Sequence, residues 1–208
     1  GNLRMKKYLV FNDIHYGAPH GLWKPEGWDA RDYQDHIDKR GFTIENSIYL
    51  GDNEDLNHCA IDRVGKHKQR IISAKLLFKE NFVLGNHEIG YGDPDNRINL
   101  IKDRVLFTHG DILFWGFDRA MKYRNKNREG SNWLRRWLIT ATLDQLREVI
   151  QPDLSDGKFW ERARLEAQMY GCHTIVCGHK HPRVAIDETR DGLRVVVNPR
   201  GVNVVEVY

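Results

Sequence analysis

The stretch Thr174-Ile175-Val176-Cys177-Gly178-His179-Lys180-His181 runs a short β-branched segment straight into a polar cluster. A brief apolar run closed by glycine reads as a strand buried on both faces. Four other stretches repeat the construction. Tyr8-Leu9-Val10-Phe11 runs into Asn12-Asp13-Ile14-His15, and Ser47-Ile48-Tyr49-Leu50 into Gly51-Asp52-Asn53-Glu54-Asp55. Asn81-Phe82-Val83-Leu84 runs into Gly85-Asn86-His87-Glu88, and Arg104-Val105-Leu106-Phe107 into Thr108-His109-Gly110-Asp111. Helical spacing of apolar residues is expected over residues 30–39, 61–79, 133–150 and 158–170. Ser131 or Asn132 would cap the third of these, with Pro152 beyond its end, and Gly171 would stop the fourth. Strand-like runs at 183–187, 193–198 and 202–207 close the chain. Strands alternating with helices predict an α/β sheet with a β-rich tail. In such sheets the loops at the carboxyl ends of strands build the site, so five loops would bring their polar clusters together.

Composition narrows the field. The chain has 208 residues, 40% hydrophobic and 29% charged, with a net charge of +3. That is enough to bury a core without disulfides, and too little charge to imply nucleic acid by itself. No apolar run approaches the length of a membrane span, and the apolar segment near the start is too short for a secretory signal. The odd set Cys59, Cys172 and Cys177 suits a reducing, cytoplasmic setting and buried thiols rather than a thiolate zinc site. A single domain over residues 5–208 is expected.

Each cluster alone is weak: an aspartate can turn the chain and a loop histidine can be merely solvated. Together they are specific. With 18 glycines and 10 histidines, Gly-His-x-His alone should arise by chance roughly 0.04 times. Aspartate, asparagine and histidine without thiolate suit Mn²⁺, Fe, Zn²⁺ or Mg²⁺. Two such ions ~3.5–4 Å apart need a shared anion and can grip both the attacking and the leaving oxygen of a phosphate ester. Asp13, Asp52 and a shared hydroxide would leave one positive charge in excess, enough to attract an anionic substrate.

The five motifs, in their order from Asp13 to His181, resemble the signature of the calcineurin-like metallophosphoesterase family. The resemblance implies a two-sheet αββα sandwich and two divalent metal ions, with manganese expected first and iron, zinc or magnesium as alternatives. It implies that Asp13, His15, Asp52 and His181 hold one ion. Asp52, Asn86, His109 and His179 would hold the other, with Asp52 bridging and a metal-bridging hydroxide as nucleophile. His87 would protonate the leaving group, oriented by Glu88. Asp55 and Asp111 are candidates to support the ligands, with plain surface carboxylates as the alternative reading.

Departures narrow the branch. Asp55 is followed by Leu56-Asn57 rather than the Arg-Gly of the family's Ser/Thr phosphatases. Residues 111–172 are long for a connection and read as a helical cap, rich in aromatics and base-heavy between Arg119 and Arg136. That cap is similar to the one in bacterial UDP-diacylglucosamine hydrolases, yet His87 stands where those enzymes carry arginine. Arg119, Lys122 and Arg124 are the candidate substrate contacts. The expected activity is hydrolysis of a small phosphomonoester, phosphodiester or nucleotide-type pyrophosphate. A nuclease acting on a nucleic-acid backbone is the first alternative, because basic and aromatic residues together can bind and stack a strand. A non-catalytic scaffold is the second. The sequence leaves the oligomeric state open.

Overall fold

A computed structural model describes residues 5–16, 27–56, 59, 63–88, 97–128 and 154–208. The strands are β1 (Lys6–Asn12), β2 (Ser47–Tyr49), β3 (Asn99–Lys102), β4 (Val105–Thr108), β5 (Thr174–Cys177), β6 (Ile186–Arg190), β7 (Leu193–Val197) and β8 (Gly201–Val207). The helices are α1 (Ala30–Lys39), α2 (Val64–Phe78), α3 (Asp111–Trp115), α4 (Phe117–Arg128) and α5 (Gly157–Tyr170). One sheet is ordered β2-β1-β8, with β1 parallel to β2 and antiparallel to β8. The other is ordered β3-β4-β5-β7-β6, parallel through β4, β5 and β7 with antiparallel edges.

Period-two alternation along these strands builds four layers. From β1, Tyr8 and Val10 join Val105, Phe107, Val176 and Val196 between the two sheets. Their neighbours Leu9 and Phe11 point the other way, under Tyr33 and Ile37 of α1 and Ile71 and Phe78 of α2. On the second sheet, Leu106, Ile175 and Val195 face Phe159, Trp160 and Ala163 of α5. Strands covered on both faces must be apolar at every position, which is why they read as continuous runs. The αββα sandwich is therefore the observed fold.

Local chemistry sets the boundaries. Asp29 caps α1, accepting from the backbone of Arg31 and Asp32 while the Asp32 carboxylate accepts from Asp29 N–H. Asp156 caps α5, and Gly171 ends it in the left-handed region. On α2 the buried stripe is His67, Ile71, Ala74 and Phe78, whereas Ile72 and Leu76 face out. The expected start of this helix at residues 61–62 lies outside the described residues, as does the whole of the helix expected over 133–150.

Three strand expectations need correction. Residues 81–84 do not form a regular strand. Val83 N–H donates to Tyr49 O and Leu84 N–H to Arg97 O, so the run divides its bonds between two neighbours, with a single bridge from Phe82 to Tyr49. The strand expected over 183–187 sits later, at β6, because Asp191 and Gly192 adopt positive φ and make a tight turn that pairs Arg190 with Leu193. β3 is present where no strand was expected; it pairs as an edge strand with β4. Within the span 111–172, α3 and α5 pack into the core of the second sheet.

Candidate metal centre

Seven side chains from five loops meet at one end of the two sheets. β1 delivers Asp13 and His15, β2 delivers Asp52, and β5 delivers His179 and His181. Backbone bonds stitch the loops together: Asp13 N–H donates to Gly51 O, His15 N–H to Asp52 O and Gly178 N–H to His109 O. Two glycines are required by close approach. A Cβ on Gly85 would overlap the Asp52 carboxylate, and one on Gly178 would overlap that of Asp13. Asp13, His15, Asp52, His179 and His181 all hold positive φ. Such a conformation costs about 1–3 kcal/mol per non-glycine residue and collects where function demands it.

The side chains form two adjoining groups. In the first, His15 Nε2 lies 3.2 Å from His181 Nε2, and His181 Nε2 lies 3.1 Å from Asp13 Oδ1. In the second, His109 Nε2 lies 2.9 Å from Asn86 Oδ1, 3.1 Å from Asp52 Oδ2 and 3.2 Å from His179 Nδ1. The other ring nitrogens are already engaged. His15 Nδ1 lies 2.9 Å from Asp55 Oδ2, and His109 Nδ1 lies 3.2 Å from the Leu50 carbonyl. Each Nδ1 therefore carries a proton, and each Nε2 turns inward toward the other donors. Nitrogen and oxygen atoms able to ligate are thus gathered within 4.8 Å of one another in each group. A cation placed there would engage every donor of a group at once. Nitrogen and oxygen donors without sulfur fit a divalent first-row metal or magnesium.

The electrostatics agree with a site that attracts cations. Burial pushes the Asp52 carboxyl up, but the charges of His109, His87 and His15 outweigh it and hold it well below the usual carboxylate range. Asp13 is held low in the same way, against burial, by His181, His109 and His15. Burial pulls His109 down, yet Asp52 and then Asp13 and Asp111 raise it to about 9. His15, dominated by burial, falls to about 3, and burial with the His109 charge lowers His179.

Around these groups the structure revises several assignments. Asp55 is fully buried, and its Oδ2 sits 2.9 Å from His15 Nδ1 and 3.1 Å from His87 Nδ1. Asp55, not Glu88, therefore stands against the His87 ring. Glu88 instead accepts from the backbone N–H groups of Gly85, Asn53 and Glu54 and from the Tyr49 hydroxyl, clamping the second motif loop to the third. Burial and the Asp52 charge push Glu88 up to about 7, against those donors. Asp111 is also buried, and Arg124 forks onto both its oxygens at 2.7 Å while donating to Leu84 O. Arg124 is consequently a buried clamp and not an accessible substrate contact, in contrast to Arg119 and Lys122, which are exposed. Helical periodicity cannot show this, because nothing in the run of bases marks the one that meets a carboxylate. Asn12 and Arg200 were not anticipated. Asn12 Nδ2 donates to Asp13 Oδ2 and Arg200 Nε to Asp13 O, and for Asn12 the signal was its place beside Asp13. Trp28 packs on the core beneath α1, its ring stacked 4.0 Å from that of His36; His20, Trp23 and Lys24 lie outside the described residues.

Among solved structures, the chain is similar to an uncharacterised protein from Streptococcus pneumoniae described as a predicted phosphoesterase. The two share 14% identity with a TM-score of 0.46, over 99% of this chain and 85% of that one. It is also similar to a cold-active protein-tyrosine phosphatase of a Shewanella species, at 14% identity and a TM-score of 0.43, over 96% and 75%. No curated protein matches the chain. The family model described as calcineurin-like phosphoesterase matches residues 6–183, a span that contains both groups of candidate ligands, and the chain belongs to that family.

Proposed function

We propose that the chain hydrolyses a phosphomonoester, a phosphodiester or a nucleotide-type pyrophosphate at a dinuclear metal centre. One observation carries the reading: two adjoining clusters of inward-facing nitrogen and oxygen donors, with a more exposed histidine beside them. Asp13, His15 and His181 hold one ion, and Asn86, His109 and His179 the other. Asp52 serves both. In support, its Oδ2 lies 3.1 Å from His109 Nε2 of the second cluster, and its backbone carbonyl accepts from His15 N–H of the first. When bound, the ions supply a water ionised near neutral pH and neutralise charge that builds on the phosphoryl oxygens. Manganese is the first candidate.

His87 is the proton donor to the leaving oxygen. Its side chain keeps 16% exposure while Asp55 behind it has none, so the ring lies between a buried carboxylate and the substrate side. Burial lowers its pKa, but Asp55 and Asp52 outweigh that and raise it well above the ordinary value, so the ring carries a proton at neutral pH. Asp55 holds the orientation of both His87 and His15. The cap is narrower than residues 111–172, since α3 and α5 belong to the sheet's core; among the described residues of that span, α4 remains as its material. A scaffold that merely keeps the fold has no use for a complete set of donors.

Metal analysis of the purified chain, followed by assay with manganese on chromogenic phosphomonoesters and phosphodiesters, tests the reading. About two ions per chain and hydrolysis lost on chelation are expected. Protein that binds no divalent ion after reconstitution would overturn it.

A further inference from the structure

The site opens on one side. Asp13, His15, Asp52 and His109 have almost no exposure, whereas the side chains of His87 and His181 keep 16% and 21%. Two rings stand beside that opening. Trp115 lies edge-on to His179 with centroids 4.4 Å apart, and Tyr123 lies 6.3 Å from His87. The two rings are 5.3 Å from each other, so they extend from the candidate metal ligand to the candidate proton donor. Neither belongs to a hydrophobic core cluster, and both are partly exposed. Their neighbour Phe114 behaves differently, packing on Phe159 at 4.7 Å and joining the core.

Charge borders the rings. The guanidinium of Arg119 lies 5.8 Å from the Trp115 centroid. Arg119, Lys122 and Tyr123 follow at helical spacing on one face of α4, and both cations are exposed. Arg124, the residue after Tyr123, is locked onto Asp111 and fixes this face against the metal loops. Aromatic faces held rigidly next to exposed cations are the apparatus for stacking a nucleobase and binding a neighbouring phosphate. An alkyl chain would be better served by aliphatic walls, and a single phenyl phosphate leaves Arg119 and Lys122 without a second anion to hold.

Resting on the phosphoesterase reading above, we infer that the substrate carries a nucleobase, which stacks on one of the mutually inclined rings of Trp115 and Tyr123 and abuts the other, while Arg119 and Lys122 take an adjacent phosphate. The base can belong to a free nucleotide or to a single strand, and affinities separate the two. Equilibrium dialysis of the manganese-loaded full chain compares thymidine 5′-monophosphate with 2′-deoxyribose 5-phosphate, which differ only in the base. The nucleotide should bind at least about tenfold more tightly. Trp115→Leu and Tyr123→Leu should shrink that advantage towards unity, and Trp115→Phe, which keeps a ring, should retain most of it. Equal affinities in the parent chain, or an undiminished advantage in both leucine variants, would overturn the inference. A single-stranded hexanucleotide binding more tightly than the mononucleotide, by a margin that Arg119→Ala with Lys122→Ala and added salt both erase, identifies a strand as the source. Equal binding of the two identifies a free nucleotide. A base advantage without hydrolysis of any phosphate ester would remove the enzyme reading and leave base recognition standing. Hydrolysis without a base advantage would do the reverse.

Discussion

Asp55 links two functions through one oxygen. Its Oδ2 reaches both His15, in the first donor group, and His87, at the mouth of the site. The Asp55 charge is also the largest influence raising His87 against its burial. Asp55→Asn should therefore lower the pKa of His87, and the alkaline limb of the rate profile should move to lower pH, because the donor loses its proton sooner. A pH–rate series on both proteins checks the sign; an unmoved limb would separate Asp55 from proton transfer. His87→Ala should leave the metal content intact and reduce kcat by about 10²–10⁴-fold, the usual worth of a positioned acid. Asp52→Asn should abolish turnover, since it removes the carboxylate charge that lies 3.1 Å from His109 Nε2 and that the proposed centre shares between its two ions.

At the scale of elements, the Arg124–Asp111 pair ties α4 to the loop after β4 and, through Leu84 O, to the third motif. Removing one partner of a buried pair leaves an uncompensated charge, so Arg124→Met should cost about 3–5 kcal/mol by urea unfolding. The double variant with Asp111→Asn should lose less than the sum of the two single changes. The sign with pH follows from the carboxylate. Burial raises Asp111, but Arg124 outweighs it and holds it below the ordinary value of 3.8. Its contribution is complete above that value and disappears as pH falls through the lowered native one. Stability of the parent chain should drop more steeply on acidification than that of Arg124→Met. Gly178→Ala tests the loop after β5. The added carbon displaces the Asp13 carboxylate, so bound metal should fall while the far-ultraviolet circular dichroism stays native.

Across the whole molecule, the four layers place the loops that carry the proposed metal ligands. A ligand that binds only the native state stabilises it, by about 2.7 kcal/mol at a hundredfold excess over Kd. For a chain of this size that corresponds to a rise of roughly 5–10 °C in Tm. Adding manganese to chelator-stripped protein should produce such a rise, and an unchanged Tm would contradict the proposed metal centre. The family model covers residues 6–183, and β6, β7 and β8 complete the two sheets beyond it. Among the described residues, no helix is long and apolar enough to cross a membrane.

Much of this was legible in the chain itself. Short apolar runs ending in glycine, aspartate, asparagine or histidine marked four of the five strands expected there and the loops whose polar side chains converge, because a doubly covered strand must be apolar and a carboxyl-end loop must be polar. What the linear order withholds is whether a charged side chain is buried and which partner it meets. Asp55, Asp111, Glu88 and Arg124 look alike as surface charges, yet each is fixed by a neighbour between 13 and 40 positions away or by backbone from another loop. The split of 81–84 between two neighbours and the placing of β6 by its turn were likewise decided by pairing. Propensity and periodicity act over a few residues, whereas desolvation and ion pairing depend on distances set only once the two sheets have closed on each other.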